Sequence, residues 1–296
     1  MCVCACASFN VMGSGKIGAI LVAAAFLMAG TSAARTKSKL DANELPMNVV
    51  GGYLVVVQGS IGDRHGLRFL LDTGVTTSAI DHKLAEQLSL ATRSGQMVNF
   101  DKTVQVQWCV LPELVYGPEH ASNIKVVVAD LRYLRTSGAA VDGIIGWDLL
   151  RRRSFRLDFA NKRVVFGALS ATEKRLVRFR ESSRCLTVPI VLDGRELWMI
   201  ADTGMRGAMF YEPQLEPTTY QRQASISGRT VSGNLESQIV LVPRLRLGTQ
   251  DLDRRVYVVR PPNSALLDGI AGYLGIACLN AKQVTFDLDH GVLSWQ

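Results

Sequence analysis

Cysteine is scarce in the body of this chain. Of six cysteines in 296 residues, Cys2, Cys4 and Cys6 crowd the N-terminus, which leaves Cys109, Cys185 and Cys278. An odd set of three closes at most one intramolecular bridge and requires none, so a scaffold stapled by disulfides is excluded. Histidine is equally sparse: His65, His82, His120 and His290 show no metal-ligand spacing, and solvated positions near turns and helix ends are their expected use. No glycine-rich phosphate loop leads from a strand into a helix, and no G-x-S-x-G elbow presents a nucleophilic serine. Neither zinc-finger spacing nor an aromatic RNA-binding signature accompanies the basic residues. Nucleotide binding, serine or cysteine hydrolysis and nucleic-acid recognition therefore lack support, and neither a metal nor another cofactor is expected.

Long apolar runs are missing too, with one exception. Lys16 is followed by the apolar run 17–28, then by Thr31, Ser32, Ala33 and Ala34, with Arg35 closing the segment. That order predicts a secretory signal peptide over residues 1–34, cleaved near Ala33 or Ala34, and export to the periplasm or the medium. The run falls short of the roughly 20 residues a spanning helix needs, so no stable membrane span is expected. Because the stretch before Lys16 is long for the start of a signal peptide, initiation at Met12 is the alternative to Met1. The formal net charge is +7, or +6 without residues 1–34, which carry Lys16 and no acid. Basic residues gather at Arg151, Arg152 and Arg153 and at Lys174, Arg175, Arg178, Arg180 and Arg184, where a solvated face or linker is expected.

What the sequence does have is a repeat. Residues 66–74 read GLRFLLDTG and residues 194–204 read GRELWMIADTG, each an apolar strand ending in Asp-Thr-Gly. Further on come Asp142-Gly143-Ile144-Ile145-Gly146 and Asp268-Gly269-Ile270-Ala271-Gly272, each followed by a short helix candidate and a terminal strand pair. The tails pair Asp158 with Asp287 at the cost of three extra residues in the second copy. The strands before each Asp-Thr-Gly also correspond, GYLVVVQGSIGD against CLTVPIVLDGRE. Val, Ile, Leu and Tyr runs punctuated by Gly, Pro, Asn and Asp dominate both copies, and a helix is expected over 81–88 with Asp81 as its N-cap. The reading is mostly β with few short helices, in two lobes over 45–170 and 185–296 joined by a linker at 171–184.

One Asp-Thr-Gly is weak evidence, since D-[ST]-G arises by chance in on the order of one such chain in several. Two copies with matched flanks are not chance. An apolar strand carries each Asp into a desolvated place, Gly permits the close turn that follows, and the Thr hydroxyl can reach its counterpart. Two such loops face to face juxtapose two carboxylates that share one proton, one a base and one an acid, as activating water against an amide requires.

On these motifs the chain resembles the retropepsin-like and pepsin-like aspartic protease superfamily over nearly all of residues 45–296. LLDTGVTTSAIDHKLAEQL with VDGIIGWDLL carries the likeness in the first copy, and IADTGMRGAMF with DGIAGYLGI in the second. The resemblance implies a bilobal acid-protease fold of two duplicated β-barrel-like lobes, acting as a monomer on polypeptide substrates. Asp72 and Asp202 would hold the attacking water, Thr73 and Thr203 would brace the loops, and Gly74 and Gly204 would line the substrate. The glycines at 143, 146, 269 and 272 would pack behind the loops. Candidate flaps lie at 95–106 and 227–235.

Arg206 replaces the Thr76 of the first copy and leaves two readings open: a cation beside the carboxylates that modulates them, or a surface ion pair. A catalytically inactive peptide-binding envelope protein of the same fold is the alternative function. A second alternative has the carboxylate pairs form between two chains.

Overall fold

The computed structural model describes residues 41–99, 102–167, 169, 175–215, 220–230, 233–259 and 269–296. The expected leader, Asp268, residues 171–174 of the expected linker and the tips of both candidate flaps lie outside the described residues.

The first lobe runs β1 (Glu44–Val50), β2 (Leu54–Ile61), β3 (Arg64–Leu71), β4 (Ala79–Asp81), β5 (Arg93–Asn99), β6 (Lys102–Tyr116), β7 (Glu119–Ala129), β8 (Gly143–Ile145), β9 (Phe155–Asp158) and β10 (Arg163–Phe166). β11 (Arg175–Arg178) and β12 (Arg180–Glu181) lead into the second lobe, which continues β13 (Leu186–Leu192), β14 (Arg195–Asp202), β15 (Ala208–Tyr211), β16 (Gln221–Thr230) and β17 (Gly233–Leu241). It ends β18 (Leu245–Leu247), β19 (Gln250–Asp251), β20 (Arg255–Val259), β21 (Ile270–Gly275), β22 (Gln283–Asp287) and β23 (Val292–Trp295). The helices are short. α1 (His82–Gln87) starts where the Asp81 side chain accepts the Lys83 amide at 3.0 Å, and buries Leu84 and Ala85 as expected. α2 (Trp147–Leu150) and a 3₁₀ turn over Ile276–Leu279 follow the glycine motifs of the two copies.

Strand residues rich in Val, Ile and Leu bury themselves on two sheets. One runs β11-β23-β22-β9-β10-β1-β2-β3-β8-β4-β7-β6-β5, and the other β16-β17-β20-β15-β21-β14-β13-β18-β19. The tails of the copies meet at the centre: β9 pairs antiparallel with β22, Leu157 opposite Val284 and Phe155 opposite Phe286. Those two phenylalanines stack with centroids 4.5 Å apart, which joins the lobes through one apolar core. Within the expected linker, residues 175–178 pair as β11 against β23 and residues 180–181 as β12 against β13. The linker arginines at 175, 178, 180 and 184 lie exposed, as do Arg151, Arg152 and Arg153. Cys109, Cys185 and Cys278 are free thiols. Among the described residues no helix is long and apolar enough to cross a membrane.

The strand register corrects the alignment of the copies. In the first lobe β3 pairs in parallel with β8, Phe69 opposite Gly143 and Leu71 opposite Ile145. In the second, β14 pairs in parallel with β21, Met199 opposite Gly272, Ala201 opposite Leu274 and Asp202 opposite Gly275, with a bulge at Trp198/Met199. The counterpart of Gly143-Ile144-Ile145-Gly146 is therefore Gly272-Tyr273-Leu274-Gly275, not the segment starting at Gly269. The three extra residues vanish from the tail, because Gly146 to Asp158 and Gly275 to Asp287 have the same spacing.

Three of the four expected packing glycines do pack. A Cβ on Gly143 would lie 2.8 Å from Ala79 O, one on Gly146 2.7 Å from Val75 O, and one on Gly272 1.9 Å from Met209 O. Gly269 does not: it is exposed, with φ +78° and nothing within 4 Å, so it serves a turn. Gly275, absent from that expectation, takes its place, its Cβ position lying 2.3 Å from Met205 O. Gly272→Ala should cost more than ~4 kcal/mol and abolish cooperative unfolding, since main chain must move, whereas Gly269→Ala should cost about 1–2 kcal/mol for its left-handed backbone alone. Urea denaturation of both variants measures the difference.

Candidate active site

β3 and β14 each run inward, and each delivers an aspartate into the seam between the lobes. Leu70, Leu71 and Asp72 are buried, as are Ile200, Ala201 and Asp202. The turns that follow are crossed. The Thr73 hydroxyl donates to Ala201 O at 2.7 Å and accepts the Thr203 amide at 3.1 Å. The Thr203 hydroxyl donates to Leu71 O at 2.8 Å and accepts the Thr73 amide at 3.0 Å. Four hydrogen bonds in the dry interior thus fix the carbonyls immediately before both aspartates.

The carboxylates meet within this brace. Asp72 accepts the Gly74 amide at 2.9 Å and Asp202 accepts the Gly204 amide at 2.7 Å. The two side chains stand close enough for the charge of Asp72 to act on the Asp202 carboxyl. Burial, then the neighbouring charge of Asp72, hold the Asp202 carboxyl well above its ordinary range, against the opposing pull of the Gly204 amide. Only glycine suits position 74, because a Cβ there would stand 2.4 Å from the Asp202 Cγ. Asp72, Thr73, Gly74, Asp202, Thr203 and Gly204 therefore lie in one cluster.

Arg206 is not part of it. Its guanidinium donates to Gly51 O at 3.1 Å and lies over the Tyr53 ring, 5.6 Å from the centroid. The upward shift of Asp202 traces to burial and Asp72, so neither the modulator nor the ion-pair reading of Arg206 describes these contacts. Its role emerges from Thr76, the same position in the first copy, whose hydroxyl donates to Arg184 O at 2.8 Å. Each copy uses this position to reach the opening turn of the other lobe. Sequence reasoning missed the partners because turn carbonyls carry no residue-type signature.

A second feature supports the first loop alone. The Ser78 hydroxyl donates to Asp148 Oδ1 at 2.7 Å and accepts the Gly146 amide at 2.9 Å. Burial raises the Asp148 carboxyl above its ordinary value while Ser78 pulls the other way. The corresponding positions of the second copy are Ala208 and Ala277, so this network is absent there.

Both candidate flaps are hairpins. β5 pairs with β6, Gly95 opposite Val106, and β16 pairs with β17, Gly228 opposite Leu235. Away from this cluster, Asp81, His82 and Asp130 bring one ligand atom each within 4.8 Å of one another. Those carboxylates are already committed, Asp130 to Arg132 at 2.6 Å and Asp81 to the Lys83 and Leu131 amides.

Thr73→Val should destabilise the fold by about 2–4 kcal/mol, because it leaves the buried Thr203 N–H and Ala201 C=O unpaired, while Thr73→Ser should retain most of the stability. Paired urea titrations check this. Asp202 sets a pH dependence as well. Its folded value lies above its ordinary value of 3.8, so the folded state keeps a proton that the unfolded chain releases. Stability should therefore fall as pH rises from about 4 through the folded value, then level off. Denaturation at several pH values should record that descent, and Asp202→Asn should flatten it.

Residues 57–149 match the family model described as aspartyl protease. Among solved structures, the chain matches the crystal structure of a retropepsin-like aspartic protease from Rickettsia conorii, at 20% identity and a TM-score of 0.30, over 42% of this chain and 88% of that one. No curated protein matches. The family model covers about a third of the chain, residues 57–149, and includes the first of the two Asp-Thr-Gly loops, so the likeness to aspartyl proteases is carried by that segment.

Proposed function

We propose that the chain is an aspartic endopeptidase in which Asp72 and Asp202 hold one water and hydrolyse peptide bonds of a polypeptide substrate. The observation that carries this reading is the crossed threonine brace, which holds the buried Asp72 and Asp202 side by side, with Asp202 raised by burial and by Asp72. One carboxylate takes a proton from the water as it attacks the scissile carbonyl. The other, still protonated, gives its proton to the departing amine. Two like charges in a dry seam resist double ionisation, so the singly protonated pair that this chemistry needs persists to higher pH than an isolated Asp allows. The hairpins β5–β6 and β16–β17 are suited to cover a bound peptide. Because both aspartates belong to one chain, the working unit is a monomer with an internal pseudo-dimer.

Export rests on the leader pattern of residues 1–34, and sequencing the mature N-terminus tests it. Asp72→Asn and Asp202→Asn should each lower cleavage of an unfolded protein substrate by about 10³-fold or more while unfolding cooperatively like the parent. Wild-type cleavage should fall as pH rises through the raised value of the pair, where the proton donor is lost, and also at strongly acid pH, where the base is protonated. Undiminished cleavage by either variant would sink the proposal.

A further inference from the structure

Thr203 also borders a space that the proposed chemistry does not use. A cavity of about 230 Å³ opens beside it. Val49, Tyr53 and Val55 of the first lobe wall one side, and Leu157 and Phe159 of the central sheet and its turn form another. Ile276, in the 3₁₀ turn of the second lobe, supplies the last. Among the described residues, none of β5, β6, β16 or β17 lines it, so it is separate from the space those strand pairs flank.

The corrected alignment explains why the space exists. With Gly146 matched to Gly275, Trp147 is the counterpart of Ile276. Trp147 is fully buried beside the first loop, its amide donating to Val75 O at 2.7 Å and its indole N–H to Ser182 O at 3.0 Å. Ile276 at the equivalent place is smaller and has no polar reach, so the flank of the second loop is left open. Its edge is polar and of one sign: Lys162 and Asn280, both exposed, line the cavity, and among the described residues no carboxylate does. Their backbone is pinned, since Lys162 O accepts the Met47 amide and the Asn280 amide donates to Ala277 O.

We infer that this cavity binds a medium-chain aliphatic carboxylate, its chain against Val55, Leu157 and Ile276 and its head group at Lys162 and Asn280. An apolar, preformed pocket with a single cationic edge selects an amphipathic anion over a neutral alkane or a cation. Because its walls come from both lobes and include Thr203, an occupant contacts the brace itself.

Isothermal titration calorimetry of octanoate into the full chain tests this. Saturable one-to-one binding is expected, with hexanoate about fifteenfold weaker for two lost methylenes at about 0.8 kcal/mol each. Ile276→Trp, which restores the residue of the first copy, should abolish octanoate binding. Ala281→Leu, which fills the cavity from another wall, should weaken it at least tenfold and decides the matter if the tryptophan variant does not fold. Lys162→Met should weaken octanoate several-fold and leave 1-octanol within about twofold. Absence of saturable binding, unchanged affinity in a folded cavity-filling variant, or unchanged octanoate affinity in Lys162→Met overturns the inference. None of these readouts depends on cleavage, so failure here is distinguishable from failure of the peptidase reading.

Discussion

Thr73 and Thr203 each give a hydroxyl hydrogen to a carbonyl of the opposite lobe and take an amide hydrogen from the opposite threonine. Few side chains can do both. A hydroxyl is donor and acceptor at once, and the β-branched Thr side chain limits its own rotamers, so little freedom is lost in making the contact. Because the accepting carbonyls belong to Leu71 and Ala201, the residues immediately before the aspartates, the brace sets where both carboxyls stand. It also forces them together, with Gly74 leaving just enough room for Asp202. Burying two acids against each other is unfavourable, and the raised Asp202 value expresses that cost. The crossed threonines and the β9–β22 seam supply the opposing stabilisation. The acid pair is an unfavourable element held in place by the packing and hydrogen bonds around it.

Much of this was legible in the sequence because it is written in residue types. Asp-Thr-Gly after an apolar strand specifies a buried carboxylate, a hydroxyl and a close backbone approach, and all six residues of the two loops come together. Asp81 before an apolar stripe specifies a capped helix, and α1 begins there. What failed to show was register. The segment starting at Gly269 looks like the segment starting at Gly143, yet a bulge at Trp198/Met199 moves the pairing so that Gly272 and Gly275 take the packed places. A bulge depends on the partner strand and has no local signature. Arg206 was misread for a related reason: its partners are the Gly51 carbonyl and the Tyr53 ring, which only the juxtaposition of the lobes brings within reach.

Once the register is corrected, the copies differ in how firmly each loop is held. The first is backed by Trp147 and by the Ser78, Gly146 and Asp148 hydrogen bonds. In the second, Ile276, Ala208, Gly275 and Ala277 occupy the same places, and the Gly275 amide turns to Gly207 O instead. In a dimer of identical chains two such aspartates have identical surroundings, and either takes the proton equally. Here Asp72 sits on the rigid, hydrogen-bonded side and Asp202 on the side bordered by a cavity and latched by Arg206. Two Asp-Thr-Gly loops within one chain can therefore differ in their backing without cost to the brace, since the threonines that join them are alike. In the proposed reaction an unequal pair would favour one placement of a shared proton over the other, so the acid and base roles would follow from the residues that back each loop rather than from the loops themselves.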